Sequence, residues 1–172
     1  MTRVHSFAPI SSDDAQVLIL GSMPGKASLK ANQYYAHPRN AFWKIMGHVL
    51  GVDLGSRYTD RLKILTANRV ALWDVLKTCT RKSSLDSDIV ESSIIPNDFR
   101  AFFGSHPDIS RVYFNGAMAE NSYRKHVLPT LGEAPRLSCV RLPSTSPANA
   151  STTLEAKIAA WRRIVPTVQQ RQ

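Results

Sequence analysis

Cysteine is scarce in this 172-residue chain. Cys79 and Cys139 stand alone, with neither a CxxC pair nor a histidine at ligand spacing, which argues against a zinc site or a disulfide framework. Both are expected as small buried thiols of a reducing compartment. The five histidines, at positions 5, 37, 48, 106 and 126, form no i, i+4 pair, so no metal and no cofactor are expected. No apolar run approaches the ~18 residues of a membrane span. Met1 to Ser12 lacks the apolar core of a secretion signal. The phosphate fingerprints GxGxxG and GxxxxGKS/T are missing too, which weighs against a nucleotide-binding domain acting on small molecules. With no repeat, low-complexity stretch or linker, residues 1–172 read as one soluble, cytoplasmic domain, expected as a monomer and long enough to bury a core.

Acidic residues are also few. Thirteen Asp and Glu face 22 Lys and Arg, a formal charge of +9. The excess is spread along the chain rather than gathered in a tail. It suggests a polyanionic partner, because each cation near a phosphate releases condensed counterions. A solvated basic surface with no partner is the alternative.

What the chain does have is an alternation of apolar runs and helical patterns. Val17 to Leu20 is continuously apolar and ends at Gly21, which suits a strand covered on both faces. Residues 41–50 repeat Phe42, Trp43, Ile45, Met46, Val49 and Leu50 at helical spacing, with Asn40 as the expected N-cap. A second run, Val70 to Leu76, reads as a strand, 97–104 as a short helix, and 111–116 as a strand stopping at Asn115-Gly116. A helix over 117–127 and a strand over 137–142 follow. The last helix opens with Thr152-x-x-Glu155, the form of a capping box. Leu154, Ile158, Trp161 and Val165 share one of its faces, Arg162 and Arg163 point elsewhere, and Pro166 ends it. The order predicts an α/β fold: a three-layer α/β/α sandwich around a mostly parallel four-stranded sheet. Ligands of such sheets sit beyond the carboxyl ends of the strands, which directs attention to the loops after Leu20, Phe114 and Leu142.

The first loop, Gly21-Ser22-Met23-Pro24-Gly25, places backbone N–H groups at the mouth of the sheet, where they suit an oxyanion or a base carbonyl. Many α/β folds carry a glycine turn here for structural reasons alone. The third, Leu142 to Ala150, sets two prolines among Ser144, Thr145, Ser146 and Asn149. Its hydroxyls and the N–H groups opening the next helix suit phosphates, and an ordinary capping loop would look similar.

Taken together, GSMPG, YYAHPRNAFW, LWDVL, SLDSDI, YFNG and LPSTSPANA resemble the uracil-DNA glycosylase superfamily, in the same order over roughly 17–165. They look most like its hypoxanthine-DNA (deoxyinosine) glycosylase branch. The resemblance implies a metal-independent, monofunctional enzyme acting on double-stranded DNA that contains a deaminated base. It implies that Gly21, Ser22, Met23 and Pro24 line the base pocket. Ser144, Thr145, Ser146, Pro147, Ala148 and Asn149 then enter the minor groove and grip phosphates.

Met23 occupies a position where other branches carry an Asp or Asn that orients the attacking water, and a thioether cannot do that. In the resembling branch the amide of His-Pro-x-Asn takes the role, which transfers to Asn40. A cap held by backbone N–H groups is rigid, as a water-positioning group needs to be. Tyr35 is expected to stack on the flipped base, with Tyr34 and Phe42 as weaker candidates and Phe42 as core. Asn115 matches a position that hydrogen-bonds the base, or serves only as a turn residue before Gly116. His37 is assigned no catalytic role. Two rivals remain at this level: a uracil or mismatched-thymine glycosylase of the same superfamily, and a non-catalytic DNA-binding module that has lost its acid.

Overall fold

A computed structural model describes residues 1–133 and 136–165. Along the chain the elements are β1 (Thr2–His5), β2 (Val17–Gly21), α1 (Lys26–Ala31), α2 (Phe42–Leu50), α3 (Tyr58–Ala67), β3 (Val70–Asp74) and β4 (Leu76–Arg81). There follow β5 (Ile95–Pro96), α4 (Phe99–Ser105), β6 (Arg111–Asn115), α5 (Ala117–Ser122), β7 (Ser138–Leu142) and α6 (Leu154–Trp161). Short 3-10 turns and one π turn, Tyr123–Val127, fill some of the connections.

The central sheet has four strands in the order β3-β2-β6-β7, all parallel. Each strand side chain alternates between faces, and the core divides accordingly. Leu18, Leu20, Ala71, Trp73, Val112 and Phe114 pack with Phe99, Phe102 and Phe103 of α4 and with Ala119 of α5. Val17, Ile19, Val70, Leu72 and Tyr113 pack with Phe42, Ile45 and Met46 of α2, Leu65 of α3 and Trp161 of α6. This is the expected three-layer α/β/α sandwich. Strand β2 is buried throughout, which explains why it carries no polar alternation.

Four local expectations are corrected. The run from Val70 to Leu76 is not one strand. Asp74 ends β3 in the central sheet, Val75 forms a corner, and Leu76 begins β4 in a second, antiparallel sheet ordered β1-β4-β5. Asn97 braces that corner, its Nδ2 donating to the carbonyls of Asp74 (2.8 Å) and Leu76 (3.3 Å). The cap of α6 is Thr153, whose hydroxyl accepts from Ala156 N at 3.2 Å. Helical geometry thus starts one residue later than a box on Thr152 and Glu155 requires. Val165 is exposed, and Ile164 is the buried residue instead, because the last turn tightens into a 3-10 helix over Arg162–Ile164. The expected stop at Pro166 lies outside the described residues. Cys79 is buried, whereas Cys139 is only partly so.

Among the described residues no helix is long and apolar enough to cross a membrane.

Candidate active site

Strand register builds the site. In the β2–β3 ladder Gly21 is paired with Asp74, and in the β6–β7 ladder Asn115 is paired with Leu142. Parallel strands end together, so the segments that follow Gly21, Asn115 and Leu142 leave the sheet at one edge. They surround a cleft of about 760 Å³, within the roughly 300–1,000 Å³ typical of sites for small ligands. Gly21, Ser22, Met23, Pro24, Tyr35, Asn40, Asn115 and the whole of Ser144 to Asn149 line it. These residues, all assigned to the site from the sequence, therefore border one cavity although they come from four separate segments; Phe42, the weaker stacking candidate, does not line it.

The turn at 21–25 is held from outside. Arg81, 2% exposed, donates from Nη2 to the Pro24 carbonyl. Ser22 Oγ donates to Asp86 Oδ1 at 2.6 Å, and Ser84 Oγ accepts from Lys26 N at 2.8 Å. The SLDSD segment is thus the outer wall of the turn. Met23 borders the cleft yet belongs to the hydrophobic core, at 7% exposure. It closes the base of the turn with an apolar side chain.

Asn40 is fixed on both sides. Its backbone N donates to the His37 carbonyl at 2.9 Å, and its Oδ1 accepts from Phe42 N at 3.0 Å. The helix-capping position itself falls on Ala41, one residue after the expected cap, but the side-chain bond to the first turn exists. Ala41 N then donates to the Thr145 carbonyl at 3.0 Å, tying the segment to the loop opposite.

Thr145 is an anchor rather than a solvent-facing hydroxyl. It is 1% exposed; its N donates to Asn115 Oδ1 and its Oγ1 accepts from Asn115 Nδ2, both at 2.9 Å. Asn115 accordingly spends its principal contacts on pinning the 142–150 loop to the end of β6. Gly116 permits the close passage: its φ is +93°, and a Cβ there would lie 3.0 Å from Ser144 Cβ. Ser144 and Ser146 accept from the backbone N of Ser146 and Ala148, each at 3.2 Å. Their hydroxyl protons stay available to a ligand. Lys157 Nζ donates to the Asn149 carbonyl at 2.9 Å and fastens the loop to α6.

Tyr35 differs from the expected stacking platform. Its ring is already stacked on Phe42, with centroids 4.1 Å apart and planes at 23°. Its hydroxyl is buried next to Gly21 and Asp74. A φ of +54° holds it there, a conformation uncommon for a bulky residue and typical of sites where geometry is over-determined. Phe42 is core, as expected.

Asp74 is the residue sequence reasoning missed. It is 4% exposed and borders the cleft. Burial chiefly, with the negative charge of Asp86 adding, pushes its pKa up to about 7, against the opposing pull of Arg81. Asp86 has exposed surface, but crowding by the surrounding protein still raises its pKa, opposed by the Ser22 hydrogen bond and by Arg81. Burial lowers that of Arg81. The signal for Asp74 was one acid inside the apolar run VALWDVL. Among the described residues, no group of three His, Cys, Asp or Glu side chains is arranged to hold a metal ion.

Comparisons with known proteins agree with this geometry. The family model described as the uracil DNA glycosylase superfamily matches residues 8–165. A hypoxanthine DNA glycosylase of Methanosarcina barkeri is 34% identical over 160 residues, covering 92% of this chain and 96% of that protein. One of Methanosarcina acetivorans is 37% identical over 141 residues, covering 77% and 88%. A solution NMR structure from Methanosarcina acetivorans, provisionally assigned as a uracil DNA glycosylase, superposes with a TM-score of 0.76 at 33% identity, covering 95% of this chain and 99% of that one. With its parallel sheet, its cleft at the strand ends and these relatives, the chain belongs to the uracil DNA glycosylase superfamily.

Proposed function

We propose that this protein removes hypoxanthine from double-stranded DNA by hydrolysing the N-glycosidic bond, leaving an abasic site. The reading takes it as a cytoplasmic monomer that needs no metal. The observation that carries it is the convergence of Asn40, the 21–25 turn and the 142–150 loop on one cleft. The names of the two Methanosarcina relatives support the choice of base.

The chemistry asks little of the protein beyond placement. Breaking C1′–N9 builds positive charge on the sugar and negative charge on the departing purine. A base inside a duplex is out of reach, so the nucleotide is first extruded. The excess of cations holds the backbone while this happens. The Asn40 amide, fixed by Phe42 N, orients one water at C1′. Backbone N–H groups of the 21–25 turn face the base as it gains charge. Neutral groups suffice because positioning alone removes much of the barrier.

The test is direct. The protein is incubated in excess EDTA with duplexes carrying a single hypoxanthine, uracil or xanthine, and abasic sites are then cleaved with alkali. Cleavage at hypoxanthine is expected, unaffected by the chelator. Cleavage confined to uracil would identify a different enzyme of the superfamily, and cleavage nowhere would favour a binding module.

The loop makes a separate prediction. Replacing Ser144 or Ser146 by Ala removes a hydroxyl proton from the phosphate grip and should weaken duplex binding about tenfold, the scale of one hydrogen bond to a charged group. Titrations at several salt concentrations read this out, and the loss should be the same for every lesion. A change in base preference without a change in affinity would move the loop into the pocket.

A further inference from the structure

Among the described residues, two polar atoms beside the cleft make no hydrogen bond. Asp74 Oδ2 and the Tyr35 hydroxyl are buried, and neither makes a hydrogen bond of good geometry among the described residues; the Asn115 side chain lies near enough to the Tyr35 oxygen to pull its pKa down, against the larger effect of burial. Both side chains crowd one point. A Cβ on Gly21 would sit 2.6 Å from Asp74 Oδ1 and 2.9 Å from the Tyr35 hydroxyl, so only glycine leaves them room. Both residues border the cleft.

An ionised carboxylate oxygen with no donor is costly to bury. The carboxyl avoids that cost by keeping its proton. A neutral carboxyl and a phenol are then two neighbouring donors whose protons find no acceptor among the described residues. Buried polar groups are nearly always paired in folded proteins, so unpaired ones at a cleft fit atoms that a ligand brings.

We propose that Asp74, as a neutral carboxyl, and the Tyr35 hydroxyl are paired donors that read the O6 and N7 edge of a flipped 6-oxopurine. In this assignment Asp74 also supplies a proton to the departing base. The inference rests on the hypoxanthine reading above. Adenine offers an acceptor at N7 but an amino donor at position 6, whereas a 6-oxopurine offers acceptors at both. Deamination turns that donor into an acceptor. Two converging donors match the deaminated edge and meet adenine's amino group donor to donor. Sites that leave a buried polar group unpaired with the wrong substrate discriminate strongly, by about 10⁴-fold or more.

The proton has a complete route. As the C1′–N9 electron pair moves onto the purine, the Asp74 proton follows it and the base leaves neutral. The water that adds to C1′ releases one proton, which restores the carboxyl. The groups facing Asp74 are Tyr34 and Tyr35 from the segment before α2, Arg81 from β4, and Asp86 from a 3-10 turn over Asp86–Asp88. Burial and the Asp86 charge outweigh Arg81, so the acid's pKa is pushed up to about 7.

Single-turnover excision of hypoxanthine is measured from about pH 5.5 to about pH 8.5 for the wild type, Asp74→Asn and Tyr35→Phe. The wild-type rate should be level below about pH 7 and fall towards tenfold per unit above it. Asp74→Asn keeps a donor without a transferable proton; its rate should be lower by about 10²-fold and independent of pH. Tyr35→Phe should keep the wild-type profile and lose about tenfold in rate. A wild-type rate that stays level to the top of the range overturns the proposal, even if a variant fails to fold. So does an Asp74→Asn profile that still falls. A wild type that releases no hypoxanthine at any pH defeats the substrate reading itself, and this inference with it.

Discussion

Asn40→Ala should lower the single-turnover rate of hypoxanthine excision by about 10²-fold or more, the scale of losing one positioned transition-state contact. Its cost to stability should be small. The lost bond is the one between Asn40 Oδ1 and Phe42 N, and a missing helix cap costs about 1 kcal/mol. Met23→Ala should behave in the opposite way. Met23 is 7% exposed and packed in the core, so truncating it costs about 2–5 kcal/mol of stability. It has no group that orients water, and the folded fraction should excise at close to the normal rate. Thermal melts beside the kinetics separate the two effects. If Asn40→Ala melts earlier but excises normally, Asn40 is only a cap.

Asp74→Asn should stabilise the protein in a pH-dependent way. Burial pushes the folded carboxyl's pKa up to about 7, against an ordinary value of 3.8 for an exposed aspartate. Between those values the folded state binds more protons than the unfolded state, so stability falls as pH rises through the window. Above about pH 7 the whole penalty is present, on the order of 4 kcal/mol for a shift of this size. Asparagine does not titrate and escapes it. Calorimetry should find the variant melting about 10 °C above the wild type near pH 8, with little difference near pH 4. A melting difference that stays constant across that range would show that Asp74 does not hold its proton in the folded state. A group that weakens the fold at working pH is consistent with one retained for its chemistry.

The sandwich was legible because its central strands are uninterrupted apolar runs. Val17 to Leu20 admits few other readings, and Arg111 to Asn115 ends at a visible stop. The corner at Val75 was not legible, since Ala71 to Leu76 are buried on both sides of it and periodicity cannot show a change of sheet. Helix α3 escaped notice because only Leu65 of its residues is buried, which leaves no apolar stripe. Strands β1 and β5 are short edges of the smaller sheet, with little burial. The cap of α6 failed by one residue between two adjacent threonines, a distinction that backbone geometry makes and composition does not.

In the site, the loops were readable because Gly, Pro and Ser punctuate the ends of strands. Asp74 was visible as an acid in a greasy run, but its meaning comes from register. Only the pairing of Gly21 with Asp74 brings that carboxyl under the turn. Thr145 looked like its neighbours Ser144 and Ser146. The clamp with Asn115 depends on two strands ending side by side, which no local pattern reports.

The proposed reaction is hydrolysis at C1′ of a deaminated purine nucleotide in duplex DNA. Its most direct test is to quantify free hypoxanthine and abasic sites together, using the wild-type protein in excess over a duplex with one deoxyinosine. A matched duplex with adenine at that position serves as the control. One free hypoxanthine is expected for each abasic site, with an intact strand until alkali is added and no adenine released from the control. Abasic sites without free hypoxanthine, or release of adenine at a comparable rate, would contradict it.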